Sequence, residues 1–173
     1  ISDYPASSGW PVIHAVNDIQ LMQSALICQG FQEQNIFILK DSAATRKHIL
    51  QTIRSRLLEG NIKKGDIIVF HFAGHGQQIA DNNGDEPDGY DEAIVPYDSP
   101  VLYDALFNTG QNLIRDDELG DLFLQIRQKT GPKGQMLVLI DACHSGTSLR
   151  ALGDARGTDH LMADSLWINA HEA

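Results

Sequence analysis

Apolar residues along the chain form two kinds of run. Residues 66–72 and 136–140 are short, almost uninterrupted apolar blocks, and a continuous block is typical of a parallel strand that is covered on both faces. Shorter strands are expected at residues 35–39 and 93–95. Together with the helical segments between these blocks, the pattern predicts an α/β domain with a mostly parallel sheet.

Three other segments carry apolar residues at helical spacing. Residues 17–29 and 45–59 each open on residue types that cap helices, and a third amphipathic stretch follows Asp116 and Asp117. Capping explains one of these two acids. Cys28 lies in the first predicted helix among apolar neighbours, so we expect it to pack in the core.

Reactive side chains follow both apolar blocks. Cys143 comes three positions after residues 136–140, and His75 follows residues 66–72 between two glycines. Because the carboxyl ends of neighbouring parallel strands meet at one edge of a sheet, we expect the thiol and the imidazole to lie close together. Backbone amides after Cys143 would favour its thiolate, although most free cysteines are simply small buried hydrophobes. The pair is suited to cleaving a peptide bond.

The composition limits the setting and the partners. The chain has 173 residues, enough for a single domain over residues 1–173, and a formal charge of −10 from 13 basic and 23 acidic residues. This balance disfavours nucleic acid and anionic membranes as partners and suits a basic substrate. Two cysteines make no disulfide framework and no apolar run reaches membrane-spanning length, so we expect a cytoplasmic protein.

Residues 81–98 form an acidic segment that contains glycine. Asp81, Asn83, Asp85 and Glu92 fall at spacings similar to those of an EF-hand loop. The sixth position of that pattern lacks its glycine and no helices flank the segment, so it is not an EF-hand. Two interpretations stay open: a solvated surface loop, and a cation-binding role for some of its carboxylates.

Four motifs occur in a characteristic order: HFAGHG, DGYDEAIVP, IRDDEL and DACHSGT. The segments AVNDI and ATRKHI fit the same pattern. With these motifs the chain resembles a metacaspase, one of the caspase-like cysteine peptidases. The resemblance implies a three-layer α/β fold with a mostly parallel central sheet, and a domain whose first central strand and C-terminal strands are missing from this chain. It also implies cleavage of peptide bonds after Arg or Lys.

The resemblance assigns roles to individual residues. Cys143 would be the nucleophile and His75 the general acid–base, and the N–H groups of Gly76 and Cys143 would form the oxyanion hole. Asp18 and Asp141 would line the pocket for the Arg or Lys side chain. Alternatively, Asp18 begins its helix and Asp141 caps the segment that follows it.

The resemblance also implies an activating calcium ion at Asp91, Asp116 and Asp117, and no organic cofactor. A further acid expected after the cysteine motif is replaced by Arg150, whose charge would repel calcium. We expect a monomer that acts on peptides or proteins. The alternative function is a catalytically inactive, caspase-like binding module.

Overall fold

A computed structural model describes residues 1–142 of the chain. Cys143 and Arg150 lie outside these described residues, as does the segment beyond them. The described residues contain three α-helices: α1 at Asn17–Cys28, α2 at Arg46–Ile53 and α3 at Asp116–Thr130. A π-helical segment at Arg54–Leu58 continues α2. Thr45 caps α2 as predicted, because its hydroxyl accepts a hydrogen bond from the N–H of His48 at 3.3 Å.

The strands within residues 1–142 form two separate sheets. The strands are β1 at Ile67–Ala73, β2 at Gly76–Ala80, β3 at Tyr90–Ile94, β4 at Ile114–Arg115 and β5 at Gln135–Asp141. β1 pairs with β5 in parallel, from Ile67 opposite Gln135 to Ala73 opposite Asp141. The predicted partnership of the two apolar blocks is therefore confirmed. β2, β3 and β4 form an antiparallel sheet in that order.

In the part of the chain that the structure describes, buried apolar residues form two clusters. The larger one joins β1 to the inner faces of α2 and α3, and includes Ile53, Ile68 and Leu122. The smaller one packs the N-terminal segment against the antiparallel sheet. Its buried members are Tyr4, Trp10, Ile79, Ala93, Val95 and Leu113. Helices α2 and α3 thus pack on the parallel strands, and Ile94 of β3 and Ile114 of β4 join the same cluster. The N-terminal segment packs on the antiparallel sheet in the smaller cluster.

Two local predictions are wrong. Residues 36–39 are in no sheet of the described chain, and a 3₁₀ turn at Glu33–Asn35 precedes them. No residue of α1 is buried, and Cys28 is exposed rather than in the core. The physical reason for both is the same: the core forms between β1, α2 and α3, and neither segment contributes a fully buried side chain to it.

β5 is also more exposed than its continuous apolar sequence predicts. Leu137 is 50% exposed and Val138 is 37% exposed. Within the described chain β5 pairs only with β1, so one of its edges has no neighbouring strand there.

The same part of the chain contains no helix that is both long enough and apolar enough to span a bilayer.

Candidate active site

His75 lies in the short connection between β1 and β2, and its side chain is fully buried. Gly74 precedes it at a crowded position. A Cβ on residue 74 would lie 2.7 Å from Cζ of Phe72 and 3.0 Å from the hydroxyl of Tyr4. Glycine is therefore required here for the chain to turn out of β1 and present His75.

The imidazole of His75 is oriented from one side by the N-terminal segment. Its Nε2 lies 2.8 Å from the carbonyl oxygen of Pro11, and a carbonyl can only accept, so Nε2 carries the proton. The ring also stacks on Trp10, with centroids 4.6 Å apart. With the tautomer fixed in this way, Nδ1 is the basic nitrogen of the neutral ring and the one suited to proton transfer.

Tyr4 holds the backbone at His75. Its hydroxyl donates to the carbonyl of Val95 at 2.9 Å and accepts from the N–H of His75 at 3.1 Å. Burial raises the pKa of the Tyr4 hydroxyl well above its usual value of about 10. Trp10 is fixed in turn, because its Nε1 donates to the carbonyl of Ser99 at 2.9 Å. Sequence reasoning missed both aromatic residues, since they lie in a segment rich in Ser, Pro and Gly.

The carboxyl ends of β1 and β5 are joined at the site. Ala73 lies opposite Asp141, and the N–H of Gly74 donates to the carbonyl of Asp141 at 3.2 Å. Gly76 begins β2, is buried, and lies opposite Ile94. The predicted acid–base residue and the predicted oxyanion-hole residue therefore both lie at the edge of the sheet where β5 ends.

The two predicted pocket acids lie on different elements. Asp18 is half-buried in the first turn of α1, and Asp141 is exposed as the last residue of β5. The position of Asp18 also fits the alternative that it begins its helix, since an acid in the first turn interacts favourably with the helix dipole. The binding role of both residues stays a prediction.

Among the predicted metal ligands, Asp91 is the buried one. Its side chain is 1% exposed on β3, and Oδ2 pairs with the guanidinium of Arg115. Oδ1 is buried and has no hydrogen-bond partner among the described residues. Burial raises the pKa of this carboxyl, although Arg115 opposes the rise.

Asp116 and Asp117 occupy the first turn of α3 rather than preceding the helix. Asp116 accepts a hydrogen bond from the N–H of Asp117 at 3.0 Å, and Asp117 accepts one from the side-chain amide of Asn83 at 2.7 Å. Burial raises the pKa of Asp116, although the hydrogen bond from the N–H of Asp117 opposes the rise. The acids that do cluster in the described chain are Asp81, Asp85 and Asp91, each with a carboxylate oxygen within 4.8 Å of the others.

Comparison with known proteins identifies the family of the chain. Residues 7–152 match the family model of the metacaspase, peptidase C14 domain. The chain belongs to the metacaspase family. It is 37% identical over 142 residues to Metacaspase-1 of Yarrowia lipolytica, covering 78% of this chain, and 34% identical over 138 residues to Metacaspase-4 of Arabidopsis thaliana, covering 76%.

A crystal structure of a Geobacter sulfurreducens protein is similar in fold, with a TM-score of 0.60 and 30% identity over 84% of this chain and 48% of that one. The metacaspase chain described here spans only 28% and 29% of the lengths of the Yarrowia and Arabidopsis relatives. Family membership and the similarity in fold support a caspase-like, three-layer α/β fold.

Proposed function

We propose that this metacaspase domain is a cysteine endopeptidase that uses Cys143 and His75 as a catalytic dyad and cuts after Arg or Lys. The observation that carries the proposal is the register of the parallel strands, in which Ala73 lies opposite Asp141. His75 follows one member of that pair by two positions and Cys143 follows the other by two. Two residues span at most about 7 Å, and this short separation from paired strand positions supports the proposed dyad.

The reaction would follow the chemistry of activated thiols. The Cys143 thiolate attacks the carbonyl carbon of the scissile bond, and the N–H groups of Gly76 and Cys143 stabilise the oxyanion. His75 protonates the leaving amine from Nδ1 and then takes a proton from the water that hydrolyses the acyl-enzyme. The carbonyl of Pro11 holds the proton on Nε2, and it stabilises the imidazolium that forms during the reaction.

Specificity for Arg or Lys would come from Asp18 and Asp141. A carboxylate at the base of the pocket pairs with a guanidinium or ammonium group and repels an aspartate side chain. The formal charge of −10 further favours the approach of basic substrates.

Calcium activation through Asp91, Asp116 and Asp117 is a separate part of the proposal. The buried Oδ1 of Asp91 fits a cation ligand. Asp116 and Asp117, however, do not join Asp91 in the group of acids whose oxygens lie within 4.8 Å of one another in the described chain. We therefore assign no step of the reaction to the metal.

The proposal is tested with peptides that differ only in the residue before the scissile bond. We expect Cys143→Ala and His75→Ala each to abolish cleavage, measured in the full-length protein. Cys28→Ala is the matched control, because Cys28 is exposed on α1 and should not affect cleavage. Full activity in purified Cys143→Ala protein would refute the assignment as a cysteine peptidase. If the unmodified protein cleaved none of the peptides, the alternative of an inactive binding module would be favoured.

A further inference from the structure

We propose that Ser2 and Asp41 are positioning residues for the pocket that binds Arg or Lys, because together they fix the loop that leads to Asp18. We call residues 11–16, which run directly into α1, the α1 entry loop. The inference rests on the proposed role of Asp18 in binding the basic side chain. It adds two residues that would act through that loop without touching the substrate.

The α1 entry loop joins two parts of the proposed site. At its first residue, the carbonyl oxygen of Pro11 accepts a hydrogen bond from Nε2 of His75 at 2.8 Å. Two positions after its last residue, Asp18 lies half-buried in the first turn of α1. A shift of the loop backbone would therefore move the proposed pocket acid relative to the proposed acid–base residue.

Ser2 holds the α1 entry loop at two points. Its hydroxyl oxygen accepts a hydrogen bond from the N–H of Val16 at 2.6 Å, and its carbonyl oxygen accepts one from the N–H of Ile13 at 3.1 Å. Ser2 is only 6% exposed, so water does not readily replace either bond when it is lost. The second half of the loop is thus fixed up to a point two residues before Asp18.

Asp41 in turn holds Ser2. Its Oδ1 accepts hydrogen bonds from the N–H of Ser2 at 2.8 Å and from the N–H of Asp3 at 3.1 Å, and bonds to an ionised acceptor are stronger than those between neutral groups. We call this arrangement the Asp41–Ser2 clamp. It connects the end of the turn before α2 to the start of α1 through hydrogen bonds alone.

The backbone of Asp41 is a second, independent observation. Its φ is 44°, and it is the non-glycine residue with a positive φ among the described residues. This left-handed conformation is unfavourable for an L residue, although Asp and Asn tolerate it better than most. Such strain persists where surrounding contacts enforce it, and it is common near functional sites.

Three variants separate the hydrogen bonds of the clamp from the strain. Asp41→Gly removes the carboxylate and leaves a residue that adopts a positive φ freely. Asp41→Asn keeps an acceptor oxygen and a residue type that tolerates this conformation. Ser2→Ala removes only the hydroxyl that holds Val16, so it decides the matter if Asp41→Gly does not fold. Asp3→Asn is the matched control, because Asp3 is exposed and contacts Asp41 through its backbone N–H.

Two measurements on the full-length protein test the clamp. The first is kcat and KM for two peptides that differ only in having Arg or Ala before the scissile bond. The second is the dissociation constant of the same two peptides, labelled with a dye, for protein that also carries Cys143→Ala, which requires no turnover. Thermal unfolding verifies that each variant is folded at the assay temperature.

We expect Asp41→Gly and Ser2→Ala to raise KM and the dissociation constant of the Arg peptide about tenfold, because a small displacement of a binding group is enough for such a loss. Binding of the Ala peptide and kcat should change little, since His75 is also held by its stacking on Trp10. Asp41→Asn and Asp3→Asn should stay within about threefold of the parent.

A purely structural role would give a different result. Unchanged binding of the Arg peptide in both Asp41→Gly and Ser2→Ala, or an equal loss for the Arg and Ala peptides, would overturn the clamp. A parent that binds both peptides equally would overturn it together with the pocket. If the parent cleaved neither peptide but the binding results were as expected, the clamp would be supported and the peptidase function refuted.

Discussion

The imidazole of His75 lies almost flat against the indole of Trp10, with an interplanar angle of 24°. At the edge of the ring, Nε2 donates a hydrogen bond to the carbonyl oxygen of Pro11. The predicted acid–base residue is thus positioned by a segment that precedes it by more than sixty residues. Both contacts orient the ring, and neither Trp10 nor Pro11 takes part in a covalent step.

Trp10 should act as a positioning residue. We expect Trp10→Ala to lower kcat by up to about 100-fold, because a small displacement of a catalytic group can cost that much. Trp10→Phe keeps an aromatic face and should recover most of the loss. Since removing a buried tryptophan also destabilises the fold, kcat and KM are measured well below the unfolding temperature. A loss that only tracked the folded fraction would contradict the positioning role.

Tyr4 should make the fold sensitive to alkaline pH. Its folded-state pKa is raised by burial, so the folded state keeps the proton at pH values where the unfolded chain releases it. This contribution to stability is complete below about pH 10 and is lost as the pH rises towards the folded-state pKa.

The measurement is the free energy of unfolding by urea at several pH values between 7 and 10.5. We expect Tyr4→Phe to cost about 1–3 kcal/mol at neutral pH, since the N–H of His75 and the carbonyl of Val95 lose their partner. Above about pH 10 the difference between the two proteins should shrink. A constant difference would show that Tyr4 does not titrate in this way.

Asp141→Asn should reduce cleavage after Arg and Lys. Losing one partner of a charged pair costs about 2–5 kcal/mol, and the lower end applies because Asp141 is exposed in the free chain. This corresponds to a decrease of about 30-fold in kcat/KM. Asp18→Asn should act in the same direction. A small reagent should alkylate Cys143 at an unchanged rate in both variants. Preferred cleavage after Asp would refute the assignment of Asp18 and Asp141 to the pocket.

Iodoacetamide should distinguish an activated thiol from an ordinary one. Cys28 is exposed, so burial does not shield it from the reagent. Only a difference in reactivity can therefore distinguish the two cysteines. We expect Cys143 to react at about pH 6–7, where an unactivated thiol is almost entirely protonated. Mass spectrometry of labelled peptides gives both rates, and parallel pH profiles would contradict activation of Cys143.

Arg115→Gln should couple stability to calcium. The change removes the cation that pairs with buried Asp91, and breaking a buried pair costs about 3–5 kcal/mol. We expect this loss in chelator and a partial recovery with millimolar Ca²⁺, together with tighter Ca²⁺ binding because a competing charge is gone. Arg54→Gln, at an exposed position, is the control. A loss that Ca²⁺ does not reverse would count against a cation at Asp91.

The sequence predicted the features that depend on local pattern. The apolar blocks of β1 and β5, the cap at Thr45 and the amphipathic spacing of α3 all have local signals, and the structure contains them. β2 was missed because Gln77 and Gln78 interrupt its apolar period, although Gln77 is fully buried.

Other features depend on distant partners and leave no local signal. Burial was predicted for Cys28 and for the apolar residues of β5 because their neighbours in sequence are apolar. An apolar sequence does not show which distant elements will cover it. Trp10 and Tyr4 pack on His75 across more than sixty residues, which no periodicity within a short segment can reveal. The grouping of Asp81 and Asp85 with Asp91 likewise depends on the hairpin closing through Asp81 and Gly89.

The contact between Pro11 and His75 has a consequence for mutational scans of this domain. The acceptor is a backbone oxygen, so exchanging the Pro11 side chain for alanine leaves the acceptor in place. An alanine scan for lost activity would therefore detect Trp10 but not Pro11. Only a change to the main chain, such as an ester linkage that weakens the Pro11 carbonyl as an acceptor, would show how strongly this oxygen governs the histidine.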